Sequence, residues 1–314
     1  MISHDMTYGI MSQKQRSELA CLVPEGVKFA CPLDRYTTLR VGGRAEAVCF
    51  PRRLSSLQQL VSFLRGANIP YLVMGKGSNL LVKDGGIRGV VIILKGELAS
   101  IEKMQDNDRL LSAGGGTSIS QLLSYCCLEG LAGLEFLAGI PGTVGGVVFM
   151  NAGAFGEETG NMVHEIGIVT ANGKPVRLDG SMLRFSYRES SIQKGSVIHA
   201  VRFALQKDIK DRVSRRVWDY LKIRKETQPL DLASCGSVFR NPPGDYAGRL
   251  IDRAGLKGTR IGGAMISPKH ANFIVNTGGA RAEDILALMD LTVKKVREQT
   301  GIELRPEIEV VGEA

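Results

Sequence analysis

The sequence predicts an α+β protein of about two domains, and three observations support this. The chain has 314 residues, which is enough for two cores of ordinary size. Short apolar runs that suit buried strands alternate with segments whose apolar residues recur at helical spacing. After Lys207 the composition shifts to a charged amphipathic segment, which predicts a domain boundary near that residue.

The first unit, about residues 21–97, is predicted to have a β-α-β-β pattern. In order, its predicted elements are a strand over 46–50, a helix over 54–65, a strand over 71–74 and a strand over 90–94. Residues 1–20 are expected to form a tail, because polar and charged residues are scattered through it. Residues 1–20 contain no apolar stretch typical of a secretory signal.

The second unit, about residues 98–207, is predicted to be richer in strands. Ser118 suits the N-cap of a helix, and the pair Asn172-Gly173 is a strong hairpin signal. The predicted elements are a strand over 110–113, a helix over 119–128, a strand over 165–170 and a strand over 197–205.

The last unit, residues 208–314, is predicted to be α+β as well. Its first helix should end at Gln228-Pro229, because the residue before a proline avoids helical backbone. The predicted elements are helices over 209–225, 246–254 and 282–300 and strands over 271–275 and 307–311.

The net charge of +8 suggests an anionic partner. The basic residues are spread along the chain, apart from a cluster between Arg212 and Lys225, and aromatic residues do not interleave with them as stacking platforms would. We therefore expect small anionic molecules and no nucleic acid. No apolar run approaches the roughly 20 residues of a membrane span, so no membrane partner is expected.

The six cysteines and four histidines show no metal-ligand spacing, so no metal site is predicted. Reduced thiols and the absence of a signal predict a cytoplasmic protein.

Two glycine-rich segments are candidates for ligand binding. Residues 133–156 place glycines between short apolar residues, which suits a large flat ligand on bare backbone; a tightly turned buried loop pair is the alternative. Gly75-Lys76-Gly77-Ser78-Asn79 follows a predicted strand and offers N–H groups to an anion; a plain turn is the alternative. It is not the Rossmann fingerprint, because Leu80 follows and no helix begins there.

A series of motifs in a fixed order carries a family resemblance. The motifs are Gly75-Lys76-Gly77-Ser78-Asn79-Leu80-Leu81, Gly139-Ile140-Pro141-Gly142-Thr143-Val144-Gly145-Gly146, Met150-Asn151-Ala152-Gly153-Ala154-Phe155-Gly156, Phe185-Ser186-Tyr187-Arg188-Glu189-Ser190, Ser234-Cys235-Gly236-Ser237-Val238-Phe239-Arg240-Asn241-Pro242, His270-Ala271-Asn272-Phe273-Ile274-Val275-Asn276 and Pro306-Glu307. From about Thr37 to Val311 the chain resembles the UDP-N-acetylenolpyruvoylglucosamine reductases, flavoenzymes of early peptidoglycan synthesis.

The resemblance implies a vanillyl-alcohol-oxidase/PCMH-type FAD-binding domain over residues 21–207, built from the first two α+β units. A C-terminal α+β substrate-binding domain over 208–314 would follow. The resemblance also implies non-covalent FAD that NADPH reduces, and reduction of the enolpyruvyl ether of UDP-N-acetylglucosamine to UDP-N-acetylmuramate. A monomer is expected. The short path from Tyr187 to the strand at Val197 leaves little room for the substrate-covering loop of one group, so the chain resembles the loop-less type II group.

Three catalytic residues follow from the resemblance. Reduction of a double bond conjugated to a carboxylate needs a cation on that carboxylate and a proton donor. Arg188 matches the polarising arginine, Ser237 the proton donor and Glu307 an assisting carboxyl group. We expect Glu307 to be protonated in the complex, because two ionised carboxylates repel each other. An ion pair of Arg188 with Glu189 and a strand-end role for Ser237 are the alternatives. Glu303 and Glu309 compete with Glu307, and Glu309 lies on the same strand face as Glu307.

The implied cofactor-binding residues lie in the two glycine segments and in the stretch before them. They are Thr38, Arg40, Gly42, Gly75, Lys76, Gly77, Ser78, Asn79, Gly139, Ile140, Pro141, Gly142, Thr143, Gly145, Gly146, Asn151, Ala152 and Gly153. Candidates for the uridine diphosphate end of the substrate are Asn241, Arg224, Lys225 and Gln228. The basic helix that ends at Lys225 suits a doubly anionic substrate, although a solvated charged face explains it equally well.

Two rival functions remain open. An FAD-dependent oxidase of the same domain type, acting on a small alcohol, would share the glycine segments but not the motif at 234–242. A basic nucleic-acid-binding module would be colourless and would bind nucleic acid in a salt-sensitive manner.

Overall fold

The structure is a computed structural model that describes residues 11–24, 26–104 and 107–314. It consists of three units of mixed helix and strand, which confirms the predicted α+β class. Within the described ranges, no helix is long and apolar enough to cross a membrane. Of the predicted tail, residues 1–10 lie outside the described residues.

The first unit packs two helices against a four-stranded sheet. Its elements are α1 (Gln13–Leu22), β1 (Val27–Pro32), β2 (Arg44–Cys49), α2 (Leu54–Gly66), β3 (Tyr71–Val73), β4 (Leu80–Val82) and β5 (Ile87–Ile92). The sheet order is β1-β2-β5-β3, with β1 antiparallel to β2 and the other pairs parallel. The leucines and valine that recur at helical spacing in α2 are fully buried, as predicted.

Helix α1 corrects part of the predicted tail. Ser12 caps the helix, and Leu19 is fully buried in the core that α2 shares with the sheet. Described residues from Met11 onward therefore belong to the first unit. The sequence signal is weak because α1 buries Leu19 alone, so no apolar stripe is visible.

The second unit is a five-stranded antiparallel sheet covered by two helices. Its elements are β6 (Ile101–Lys103), β7 (Leu110–Gly114), α3 (Ile119–Glu129), β8 (Leu131–Ala132), α4 (Val144–Phe149), β9 (Gly153–Ala154), β10 (Glu157–Glu158), β11 (Val163–Val169), β12 (Pro175–Asp179), β13 (Phe185–Ser186), β14 (Glu189–Ser190), β15 (Val197–Ala204) and β16 (Gln206–Lys207). The sheet order is β12-β11-β15-β7-β6. Ser118 caps α3 as predicted, and the predicted turn, with Gly173 at φ 77°, joins β11 to β12.

The third unit packs two helices against a four-stranded antiparallel sheet. Its elements are α5 (Lys210–Thr227), β17 (Ala233–Ser234), α6 (Ala247–Arg253), β18 (Arg260–Ile261), β19 (Ala264–Ile266), β20 (Ile274–Asn276), α7 (Ala282–Thr300) and β21 (Glu309–Val311). The sheet order is β17-β20-β19-β18, and α6 and α7 share its core. The strand predicted over 271–275 begins later, because the N–H of Phe273 closes a turn onto the carbonyl of His270.

Several contacts join the units. β21 pairs in parallel with β4 of the first unit. The carboxylate of Asp84 accepts hydrogen bonds from the N–H groups of Ala282 and Glu283, at 3.0 and 3.1 Å, and so caps α7 from the first unit. Val217 and Tyr220 of α5 pack on the core of the second unit. The helix expected to open the C-terminal domain thus lies against the second unit; the division at residue 207 stays a prediction.

Candidate active site

The two glycine segments lie against each other. A Cβ at Gly75 would collide with the hydroxyl of Thr143, so the first loop meets the second at bare backbone. A Cβ at Gly77, whose φ is 60°, would lie 2.5 Å from the carbonyl oxygen of Tyr36. Close approach and left-handed backbone therefore require glycine at both turns.

Thr38 lies beside Gly77 and carries an unpartnered polar atom. Its N–H donates to the carbonyl of Gly77 at 3.3 Å. Its hydroxyl is buried and has no hydrogen-bond partner in the described part of the chain. A buried hydroxyl normally has a partner, and a ligand oxygen beside Gly77 would supply one.

The other predicted residues of these segments differ in exposure. Lys76, Gly139, Pro141 and Gly146 are exposed, Ser78, Ile140 and Gly145 are half-buried, and Gly142 is buried. Before them in the chain, Arg40 is exposed with a left-handed φ of 54°, and a Cβ at Gly42 would lie 2.7 Å from Val82. The exposed glycines leave the backbone of the second segment open to a ligand.

The side chain of Asn151 holds the chain near Arg188. Its amide nitrogen donates to Oε2 of Glu158 at 2.8 Å and to the carbonyl of Ser186 at 2.9 Å, and its amide oxygen accepts from the N–H of Gly160. Both N–H groups and the oxygen thus have protein partners. Ala152 and Gly153 follow in the same turn: the carbonyl of Ala152 accepts two hydrogen bonds from Thr159, and Gly153 begins β9.

Arg188 and Glu307 meet across 119 residues of sequence. Nε of Arg188 donates to Oε1 of Glu307 at 2.6 Å, and the two side chains are 20% and 13% exposed. Arg188 lies in the turn between β13 and β14 with a φ of 59°, a left-handed conformation that is rare for arginine and concentrated at functional sites. Arg188 therefore finds its carboxylate in Glu307 rather than in its neighbour Glu189.

Backbone pairing holds Ser237 beside Glu307. The N–H of Glu307 donates to the carbonyl of Val238 at 2.7 Å, and Phe239 forms an antiparallel bridge with Pro306. Gly236, with a φ of 78°, has open space where a Cβ would be. The structure thus joins Arg188 to Glu307 and places Ser237 next in the chain to Val238, the backbone partner of Glu307, with bare backbone at Gly236.

Asn272 fixes this arrangement, and the sequence reasoning assigned it no role. Its amide accepts from the N–H of Phe239 at 2.9 Å and donates to the carbonyl of Phe239 at 2.8 Å. Its own carbonyl accepts from the N–H of Val238 at 2.8 Å, and the residue is 4% exposed. The sequence does contain a signal for this role. Asn272 lies within an apolar run, and an amide that is buried there must be hydrogen-bonded.

Asn79 connects the first glycine loop to Glu307. Its side-chain nitrogen donates to the carbonyl of Glu307 at 3.2 Å, and its own carbonyl accepts from the N–H of Glu309 at 2.9 Å. The loop that contacts Thr38 therefore also holds the backbone on which Glu307 lies.

Arg224 lies near Arg188 and is 9% exposed. A Cβ at Gly139 would lie 2.7 Å from its Cδ, and its guanidinium carbon is 5.4 Å from the ring centroid of Phe155. Its Nε is buried with no partner among the described residues. Burial, and then the charge of Arg188, lowers the pKa of Arg224.

The other diphosphate candidates are more exposed. Oε1 of Gln228 lies 3.5 Å from Nη1 of Arg224, so these two residues are neighbours. Lys225 is exposed on the next position of α5. Asn241 accepts from the N–H of Ala247 at 3.0 Å and so holds the start of α6, which gives it a structural role.

Comparisons with known proteins give the family. The chain is 42% identical over 300 residues to the UDP-N-acetylenolpyruvoylglucosamine reductase of Syntrophus aciditrophicus, covering 95% of this chain and 96% of that protein. It is 44% identical over 286 residues to the protein of that name from Heliobacterium modesticaldum, covering 90% of each. The chain belongs to the UDP-N-acetylenolpyruvoylglucosamine reductase family. A crystal structure of UDP-N-acetylenolpyruvylglucosamine reductase from Thermus caldophilus matches with a TM-score of 0.77 at 38% identity, covering 91% of this chain and 98% of that chain.

Two family models match consecutive parts of the chain. The model described as FAD binding domain matches residues 45–179, and the model of the UDP-N-acetylenolpyruvoylglucosamine reductase C-terminal domain matches 228–311. Both glycine segments lie in the first range, and Ser237 and Glu307 lie in the second. Arg188 lies between them. The family predicted from the motifs is therefore confirmed.

The residues of this reductase-family chain fit an FAD cofactor. The unpartnered hydroxyl of Thr38 and the exposed backbone of Gly139 and Gly146 form a cradle for the cofactor, beside the tight turns that Gly75 and Gly77 allow. Six residues, 191–196, join β14 to β15, so no extra loop interrupts the chain there. In the described ranges, no group of three or more His, Cys, Asp or Glu side chains could hold a metal ion. Burial raises the pKa of the Cys235 thiol to about 12, which makes it unreactive.

Proposed function

We propose that the protein reduces the enolpyruvyl ether of UDP-N-acetylglucosamine to UDP-N-acetylmuramate, with FAD as cofactor and NADPH as reductant. The product is a precursor of peptidoglycan. The observation that carries the proposal is the contact of Arg188 with Glu307, held beside Ser237 and joined to the FAD-binding domain through Asn79. The reductase name of the relatives supports the same reaction.

When bound, FAD supplies the redox chemistry: it takes two electrons from NADPH and passes them to the double bond as a hydride equivalent. Arg188 binds the substrate carboxylate through the guanidinium N–H groups that Glu307 does not use. It thereby stabilises the negative charge that spreads into the carboxylate during reduction. Its position in the turn is fixed by the bond from Asn151 to Ser186.

Glu307 faces the same carboxylate. In the structure its Oε1 accepts a charge-assisted hydrogen bond from Arg188 at 2.6 Å. A substrate carboxylate on Arg188 would place two like charges together, and one of them must then take a proton. We propose that Glu307 takes it and donates a hydrogen bond to the substrate.

Ser237 donates a proton to the carbon next to the carboxylate, which completes the reduction. The open space at Gly236 admits the substrate beside the hydroxyl. We assign FAD to the two glycine segments together with Thr38, Arg40 and Gly42. Candidates for the uridine diphosphate end are Asn241, Arg224, Lys225 and Gln228. The monomeric state and the cytoplasmic location stay predictions.

The test uses the purified full-length protein. We expect a yellow protein with a flavin spectrum that oxidises one NADPH for each enolpyruvyl sugar nucleotide reduced, without oxygen. Oxidation of a small alcohol with consumption of oxygen, and no response to the sugar nucleotide, would support the oxidase rival instead. A colourless protein with salt-sensitive binding to nucleic acid would support the nucleic-acid rival.

A further inference from the structure

Residues 37–41, which we call the cofactor segment, pack against the C-terminal unit. Leu39 and Val41 belong to the hydrophobic core that α6 and α7 form with the C-terminal sheet, and Leu39 is fully buried. Between these two residues, Arg40 is exposed. Thr38 carries the buried hydroxyl that has no partner among the described residues. The segment that we assign to FAD is therefore packed in part by the C-terminal unit.

The side chain of Asn276, the last residue of β20, bonds the backbone of this segment. Its Nδ2 donates to the carbonyl of Leu39 at 3.1 Å and to that of Arg40 at 3.4 Å. Its Oδ1 accepts from the N–H groups of Gly278 and Ala280, at 2.9 and 3.3 Å. These two donors fix the orientation of the amide, because only its oxygen can accept from them. The NH₂ group therefore faces the cofactor segment.

The turn at Arg40 requires support from its surroundings. Arg40 has a φ of 54°, a left-handed conformation that is unfavourable for any residue with a Cβ. The two carbonyls that Asn276 bonds belong to the peptide groups on either side of this residue, so one amide orients both. On its other side the segment is held by the N–H of Thr38, which donates to the carbonyl of Gly77 at 3.3 Å. Asn276 thus stabilises a turn that places Thr38.

The backbone of Asn276 also pairs with the strand that leads to Ser237. β20 lies between β17 and β19, and Asn276 pairs with Ala233 of β17. β17 ends at Ser234, shortly before Ser237 in the chain. One residue therefore connects the cofactor segment, through its side chain, with the Ser237 segment, through its backbone. The hydride equivalent and the proton must reach adjacent carbons of one double bond, so the relative position of these segments matters to the reaction.

We propose that Asn276 is a positioning residue for FAD. Its amide holds the turn at Arg40, and through this turn the hydroxyl of Thr38, in the conformation that binds the cofactor. Asn276 acts through Thr38 and does not itself contact the ligand. The proposal rests on the proposed function, because it requires FAD beside the cofactor segment.

The test compares Asn276→Asp with Thr277→Val in the full-length protein. Aspartate keeps the shape of the side chain and an oxygen for the N–H groups of Gly278 and Ala280, but it cannot donate to the cofactor segment. Thr277 is the exposed neighbour, and its hydroxyl donates to the carbonyl of Gly263 at 2.9 Å, within the C-terminal unit. Thr277→Val therefore controls for the loss of one hydrogen bond from the same part of the fold. The measurements are the dissociation constant of FAD for the deflavinated protein and urea unfolding without FAD.

For Asn276→Asp we expect the folded, deflavinated protein to bind FAD about tenfold more weakly, which corresponds to the loss of one hydrogen bond. For Thr277→Val the FAD affinity should stay within about twofold of wild type, whatever stability the variant loses. A purely structural role for Asn276 predicts a different result, in which stability without FAD falls and the folded variant binds FAD as tightly as wild type.

A double-mutant cycle with Thr38→Val tests whether Asn276 acts through Thr38. Thr38→Val should weaken FAD binding in the wild-type background, but by no more than about twofold when Asn276→Asp is present, because the hydroxyl is then no longer held at the ligand. Equal losses in both backgrounds, or wild-type FAD affinity in Asn276→Asp, would overturn the proposal. If Asn276→Asp does not fold, Asn276→Ser is measured in its place. Failure of the wild-type protein to bind FAD would instead refute the proposed function.

Discussion

Replacing Asn272 by alanine should destabilise the C-terminal core strongly. The change removes both hydrogen bonds from the amide to the backbone of Phe239, at 2.9 and 2.8 Å. Phe239 is 1% exposed, so its N–H and carbonyl would lose their partners without gaining solvent. Each buried group left unsatisfied costs about 1–3 kcal/mol, which gives a loss of about 2–6 kcal/mol for the two.

Urea unfolding followed by circular dichroism measures the total loss, and hydrogen exchange at β19 and β20 locates it. Asn241→Ala is the matched control, because the side chain of this exposed asparagine makes one hydrogen bond with the residues that the structure describes, to the N–H of Ala247. The control should lose about 1 kcal/mol, as for a helix cap. If Asn272→Ala loses no more stability than Asn241→Ala, the amide of Asn272 does not hold the Ser237 segment.

Three further predictions concern the cofactor cradle and the core. Thr38→Val should keep or raise the stability without FAD, because the buried hydroxyl has no partner among the described residues, but should weaken FAD binding in a fluorescence titration; unchanged binding contradicts the cradle. Gly77→Ala should cost about 1–2 kcal/mol from its positive φ alone and release FAD on gel filtration; a variant that retains FAD at wild-type stability would contradict the close approach. Burial lowers the pKa of His270, and its Nδ1 accepts from the N–H of Asn272 at 3.2 Å. The neutral ring is thus favoured on folding, so stability is complete above the unfolded pKa and falls as the pH drops. His270→Gln should lose less stability than wild type between about pH 7 and pH 5 in urea titrations, and an equal loss would exclude His270 as the cause.

Elements with a buried apolar stripe could be read from the sequence. α2 and α7 carry apolar residues at helical spacing, and those residues are buried in the structure. The sequence does not predict β1 and β4, because a short strand forms only where another strand pairs with it. β4 pairs with β21, which is more than two hundred residues away, and no local pattern encodes that contact. α1 contributes a single fully buried residue, so the sequence predicts a tail there instead of a helix.

In the candidate site, too, the sequence identifies individual residues but not the contacts between distant parts of the chain. The motifs identify the predicted catalytic residues Arg188, Ser237 and Glu307. The segments that carry them are held by three asparagines whose side chains form hydrogen bonds with distant backbone groups, namely Asn79, Asn151 and Asn272. The assignment of Asn79 and Asn151 to the cofactor stays a prediction, and the structure adds that their side chains bond the segments of Glu307 and Arg188. Local patterns show that a glycine or an asparagine is present; they do not show which distant carbonyl it approaches.

We propose that Ser237, next in the chain to the backbone partner of Glu307, acts only when the enolpyruvyl substrate is reduced. Stopped-flow spectroscopy of Ser237→Ala without oxygen tests it most directly, because the flavin absorbance reports both half-reactions separately. We expect NADPH to bleach the flavin at the wild-type rate and the sugar nucleotide to restore its colour orders of magnitude more slowly. Wild-type rates in both half-reactions, or an equal slowing of both, would contradict it.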